Sequence, residues 1–257
     1  MRTVFSRRLA PPVTAAASQE TLRLSVVPER VLRAFLWLIA GLIVVPTLLN
    51  LLLAASPTLA DQGLFTKLYN LTYLDREQNL PSYVSTAALF VCAGLMFVIA
   101  QVSRRRQQRE NAYWWVLGLV FLGLSFDETA GVHEGLSESA SSAADSAGLS
   151  SLASLGWVTL GLLFVGLFAV VFLRFWLRLA PRVRLLLGLA AALYLGGALG
   201  MEVLGSRLSD LYGFDDLHYK LAATVEETLE FLGTAVLLYA LLCYLRLMVG
   251  RLDLHFR

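Results

Sequence analysis

Six apolar stretches, at 31–55, 83–101, 113–134, 152–174, 185–206 and 221–246, limit what this chain can fold into more than any other feature. A bilayer core about 30 Å thick needs about 20 apolar helical residues to cross it, and each stretch is close to that length. In lipid no water is present to satisfy backbone N–H and C=O groups, so only helices and closed barrels span. No segment of barrel-strand length alternates with period two. The chain is therefore expected to be all-α: an integral membrane bundle of six transmembrane helices. Its composition, 57% hydrophobic and 16% charged, departs from the soluble average of about 45–50% apolar and about 25% charged. That departure excludes a soluble enzyme and a nucleic-acid binder.

Basic residues set the orientation, because Lys and Arg near span ends stay cytoplasmic. Of the 21 bases, 17 fall on one side: the N-terminal segment, the second and fourth connections and the C-terminus. The other four, Lys67, Arg76, Arg207 and Lys220, fall on the opposite side. Both termini are thus expected in the cytoplasm of a bacterial inner membrane. The expected organisation is a flexible tail over 1–30, a six-helix domain over 31–246 and a short tail over 247–257. Ser6-Arg7-Arg8 resembles the start of a twin-arginine signal, but no apolar segment comes closely enough after it. Residues 56–82 carry aromatics and charges and are expected to fold against the bundle, whereas the Ser/Ala-rich 135–151 is expected to be mobile. Cys92 and Cys243 lie in apolar runs and are expected to be buried thiols. The stripe Ala192, Gly196, Gly200 is expected to let a neighbouring helix approach closely, within the bundle or in a second copy.

The acids are the unusual part. Asp127, Glu128, Glu202, Glu226, Glu227 and Glu230 fall inside predicted spans, and His133 and Glu134 at the edge of the third. At about 2.5–3.5 kcal/mol for each charge at a helix centre, six cost on the order of 15–20 kcal/mol if uncompensated. In that orientation, Asp127 lies roughly 10 Å, Glu202 roughly 6 Å, and Glu226 and Glu230 roughly 8 and 14 Å below the outer ends of their helices at 1.5 Å per residue. Three helices thus carry acids at one level. At 100° per residue, Glu226 and Glu230 share a face with Glu227 on its flank. Asp127 shares one with Glu134, while Glu128 and His133 point elsewhere.

No Lys or Arg lies within the spans at that depth. Either these acids carry protons, or cations bind among them. Clustered carboxylates with imidazole suit a divalent Mn, Fe or Zn ion, mononuclear or dinuclear, and a bound cation would invert the local electrostatics. The expected ligands are Asp127, His133, Glu134, Glu202, Glu226 and Glu230. Glu227 and Glu128 are the expected catalytic acid–base residues, and Asp75, Glu77 and His218 are expected at the rim. No organic cofactor is expected.

Three motifs, Leu74-Asp75-Arg76-Glu77-Gln78-Asn79-Leu80-Pro81-Ser82-Tyr83, Ser125-Phe126-Asp127-Glu128-x4-His133-Glu134 and Glu226-Glu227-x-x-Glu230, together resemble an uncharacterised family of bacterial multi-pass membrane proteins. The resemblance covers roughly 70–240. It implies that Asp127, Glu128, His133 and Glu134 act as a unit and names no reaction. The functional expectation is a metal-dependent membrane oxidoreductase or hydrolase acting on a lipidic or periplasmic substrate. A cation- or proton-coupled transporter is the alternative, and an accessory subunit of a membrane complex the second. Membrane lipid is the expected partner, with a second copy or a larger complex as further options.

Overall fold

The computed structural model describes residues 22–132, 135, 156–250 and 253–256 of the chain. Helix α1 runs over Pro28–Ala55, with proline in its first turn where the missing N–H is harmless. A 3-10 turn (Pro57–Asp61) and a short helix α2 (Gly63–Thr72) come next. They pack back on α1, where the Tyr69 hydroxyl donates to Asn50 Oδ1 at 3.0 Å. Residues 56–72 therefore fold against the bundle as expected.

Helices α3 (Leu80–Arg105) and α4 (Asn111–Ala130) form an antiparallel hairpin. Asn79 opens α3 with a capping box shared with Ser82. The pair is tied near its turn by Phe97 against Trp115, with ring centroids 5.1 Å apart. At the far end Thr86 Oγ1 and Thr129 Oγ1 lie 2.7 Å apart, and the Ser125 hydroxyl donates to the Thr86 carbonyl at 2.9 Å. Helix α5 covers Gly156–Arg178. Helix α6 (Pro181–Leu195) passes through a π-helical segment (Gly196–Met201) into α7 (Glu202–Tyr212). Helix α8 (Leu217–Val249) completes the bundle.

Among the described residues, five helical stretches, Pro28–Ala55, Leu80–Arg105, Gly161–Arg178, Pro181–Tyr212 and Leu217–Val249, are long and apolar enough to cross a membrane. The sixth expected span, α4, has 20 residues, but Asp127 and Glu128 in its last turn keep it outside that set. Strands β1 (Leu22–Ser25) and β2 (Asp253–Phe256) pair antiparallel, with Leu22 opposite Phe256.

Arginines gather at one end of the bundle. Arg246 near the end of α8 faces Glu29 at the start of α1 at 3.9 Å. Arg178 at the end of α5 faces Glu110 before α4 at 4.0 Å, and Arg106 donates to the Met248 carbonyl. The main core sits toward this end. It holds Cys92, Met96, Ile99, Trp114, Phe175, Val183, Leu241 and Leu245. Cys92 is buried as expected, but Cys243 is only half-buried.

Among the described residues, the stripe Ala192, Gly196, Gly200 does not make the expected close approach. Ala192 and Gly200 are exposed, and a Cβ on Gly196 or Gly200 would meet nothing within 4 Å. The approach is made one face away. A Cβ on Gly197 would come 2.8 Å from the Glu226 carbonyl oxygen and from Glu230 Cγ. A Cβ on Gly233 would come 2.7 Å from the Tyr194 backbone nitrogen. Each helix thus offers one glycine to the other's backbone, which holds α6 and the π segment against α8.

Two substitutions separate the faces. Gly233→Leu wedges α8 away from α6 and is expected to destabilise the detergent-solubilised protein by about 1–3 kcal/mol, the usual range for overpacking. Gly200→Ala is expected to leave the thermal midpoint unchanged. Equal losses from both would contradict this packing.

Candidate functional site

At the end opposite the arginines, four elements bring carboxylates to one cavity of about 1180 Å³. Among the described residues eight line it: Asp75 and Glu77 from the loop before α3, Asp127 and Glu128 from α4, Glu202 from α7, and Glu226, Glu227 and Glu230 from α8.

Local structure explains how each arrives. In the loop 73–79, Gln78 adopts φ +59°, a conformation that costs an L-residue roughly 1–2 kcal/mol. That turn and the Asn79 cap fold Asp75, Arg76 and Glu77 back over the cavity. The hydroxyls of Tyr219 and Tyr73 donate to Asp75 Oδ2 at 2.9 and 3.3 Å. Helix α4 stops at Gly131, with φ +59° and its N–H bonded to the Asp127 carbonyl, a left-handed cap that glycine takes without strain. The Glu77 carboxylate rests where a Cβ on Gly131 would be. The π segment adds a residue to the turn before Glu202, which rotates the face that α7 presents. Such bulges favour functional sites, and Gly196, Gly197 and Gly200 make this one sterically easy.

The acids feel one another. Glu227 lies within electrostatic reach of Glu230, Glu128, Glu226 and Asp75, and Glu230 within reach of Glu128, Glu226 and Glu202. Both sit deep among protein atoms while keeping part of their surface on the cavity. Outside the membrane-length helices, burial, with Asp215 and then Asp75 adding to it, pushes the Tyr69 hydroxyl up to about 12. Burial and the Asp75 carboxylate also raise Tyr73.

The structure differs from sequence expectation at several points. Glu128 lines the same cavity as Asp127 rather than pointing away, because the lining on α4 is one stripe through Trp114, Leu117, Phe121, Leu124 and Glu128 that is broad enough to take in Asp127 at its edge. Asp75 and Glu77 are part of the lining. His218 is not: its exposed ring bonds Asp216 at 2.8 Å and stacks on Tyr212. The His218 backbone N–H, then its ring, hold the exposed Asp216 carboxyl below the usual range. Arg76, expected only outside the spans, lines the cavity, so one base does reach the acids. Tyr194 and Tyr219 also line it, and neither is among the sequence-predicted site residues. Tyr194 is within electrostatic reach of Glu230, Glu128, Glu227 and Asp127, and its place four residues before Ala198 on the α6 face offers no polar pattern to trace. His133 and Glu134 lie outside the described residues. Among the described residues, no three His, Cys, Asp or Glu side chains are grouped so as to hold a metal ion.

Residues 29–245 match a family model described as Domain of unknown function (DUF8692), and the chain belongs to that family. The match includes nearly all of the bundle, from α1 to most of α8. No curated protein and no solved structure matches the chain.

Mutual repulsion among these acids gives a sign test. In chelator-treated protein at pH 8, Glu227→Gln removes one of several facing carboxylates and is expected to raise stability by on the order of 1 kcal/mol. Thermal unfolding in detergent reads this out. A loss of that size would mean that the Glu227 carboxylate holds the fold together.

Proposed function

We propose that the chain is a bacterial inner-membrane protein of six spans with both termini cytoplasmic, and that its carboxylate cavity is the active site of a membrane enzyme using a divalent cation on a lipidic or periplasmic substrate. Parity supports six spans. The β1–β2 pairing and the Arg246–Glu29 contact put the start of α1 and the end of α8 together. A chain that returns to its starting side crosses an even number of times, which supports α4 as a sixth span beside the other five. The arginine-rich end then faces the cytoplasm by the positive-inside rule, and the acids occupy the outer half. Helix α2 suits the outer interface, since Leu64, Leu68 and Leu71 lie exposed at helical spacing on it.

One observation carries the enzyme reading: eight carboxylates line a single cavity in which Arg76 is the one basic lining residue among those described. Such an excess of negative charge in a low-dielectric site calls for protons or cations. Asp127, Glu202, Glu226 and Glu230 are the residues that would hold a cation, joined by His133 and Glu134. A divalent ion there would polarise a substrate oxygen or activate water. Glu227, within electrostatic reach of Glu230, Glu128, Glu226 and Asp75, is suited to accept and return a proton.

The transport reading has less support. Toward the cytoplasmic end the cavity meets the apolar core around Trp114, Phe175 and Val183, which offers a permeating ion no polar step.

Metal analysis of purified protein tests this. Stoichiometric Mn, Fe or Zn is expected, and is lost in Asp127→Ala and Glu226→Ala variants that keep the wild-type thermal midpoint. Folded wild-type protein that carries no metal after growth and purification without chelator would contradict the reading and favour proton coupling.

A further inference from the structure

The cavity is much longer than a cation site requires. Beyond its acids it continues as an apolar arm between α4, α5 and α6. On α4 the lining runs from Glu128 back to Trp114, and the apolar part from Leu124 to Trp114 is ten helical steps long, roughly 15 Å at 1.5 Å per residue. On α5 a ladder of phenylalanines walls the same length. Phe164 and Phe168 have centroids 6.1 Å apart, Phe168 and Phe172 4.1 Å, and Phe172 and Phe175 6.1 Å. At the blind end Trp114 meets Phe175 edge-on at 5.2 Å. One void therefore has a charged end and a dry arm.

We propose that the arm holds a single long hydrocarbon chain, so that the substrate of this site is a single-chain amphipath of the outer leaflet. Three observations agree on that occupant. The arm's roughly 15 Å is a length that one lipid chain fills, since such chains reach halfway across the about 30 Å hydrocarbon core. Its lining is aromatic and aliphatic, and among the described lining residues charge is confined to the other end. In the orientation proposed above, its polarity is that of a chain entering from the outer leaflet, head at the carboxylates and tail toward the cytoplasmic side. Two small residues, Ala191 on α6 and Ala169 on α5, are part of that lining.

This inference rests on reading the carboxylate cavity as a substrate site, but its test does not use metal content. The probe is hexadecanol carrying a photoreactive diazirine at the chain end or beside the hydroxyl. It is added to the full-length protein in nanodiscs, with and without chelator. The chain-end label is expected on Trp114, Phe172 and Phe175. The head-proximal label is expected near Phe164 and Leu199. Both patterns are expected to be lost in Ala191→Trp and Ala169→Trp, whose indoles fill the arm. Labelling with no depth order, confined to outward-facing residues such as Trp37 and Val170, would overturn the proposal. So would an unchanged pattern in a folded arm-filled variant. If neither variant folds, the depth order in the wild type decides alone. Depth-ordered labelling of metal-free protein would uphold the chain site while the metal reading fails. Metal without depth order would do the reverse.

Discussion

The desolvation of carboxylates governs this molecule. A charge held at the centre of a membrane helix costs about 2.5–3.5 kcal/mol even on the most lenient scale, and a folded protein is stable by only about 5–15 kcal/mol in total. The sequence places six acids in apolar helices, and the structure adds Asp75 and Glu77 to the same cavity. These groups are not spread along separate lipid faces, where each would incur its cost alone. They share one void, where protons, a cation or water can serve them together. The fold can be understood as the arrangement that gathers them.

That gathering depends on close backbone contact. Gly197 against α8 and Gly233 against α6 let two helices carrying Glu202, Glu226 and Glu230 approach nearly to backbone distance. The π segment then rotates α7 and its Glu202, and the left-handed Gln78 and Gly131 bring the loop acids and the end of α4 over the same opening. At the other end the polarity reverses, with arginines at helix ends and a tightly packed apolar core beneath them. A formal net charge of +2 is thus the remainder of two opposite accumulations at the two ends of one bundle.

Much of this was legible in the sequence, because hydrophobic length and acid placement are local properties. The apolar stretches locate the helices to within several residues, and depth arithmetic puts Asp127, Glu202, Glu226 and Glu230 at one level, around one cavity as it turns out. What was not legible depends on three-dimensional register. Helical phase alone turns Glu128 away from Asp127, because a wheel does not know how wide the adjoining cavity is. The small-residue stripe visible in the sequence is Ala192, Gly196, Gly200, whereas the π segment shifts the phase and Gly197 makes the contact. Arg76 reads as a loop base, and only the fold of residues 73–79 brings it to the acids. His218 resembles a ligand by position, but Asp216 and Tyr212 engage it outside the cavity.

If the acids line a cavity open to the outer side of the membrane, a thiol in their place must be reachable from that side. Substituted-cysteine labelling at Glu226 tests this most directly, in a background with Cys92 and Cys243 replaced by alanine. Intact cells carrying Glu226→Cys should react with a membrane-impermeant methanethiosulfonate added from outside. Reaction only after the cells are opened, or none in folded protein, would contradict an outward-facing carboxylate cavity.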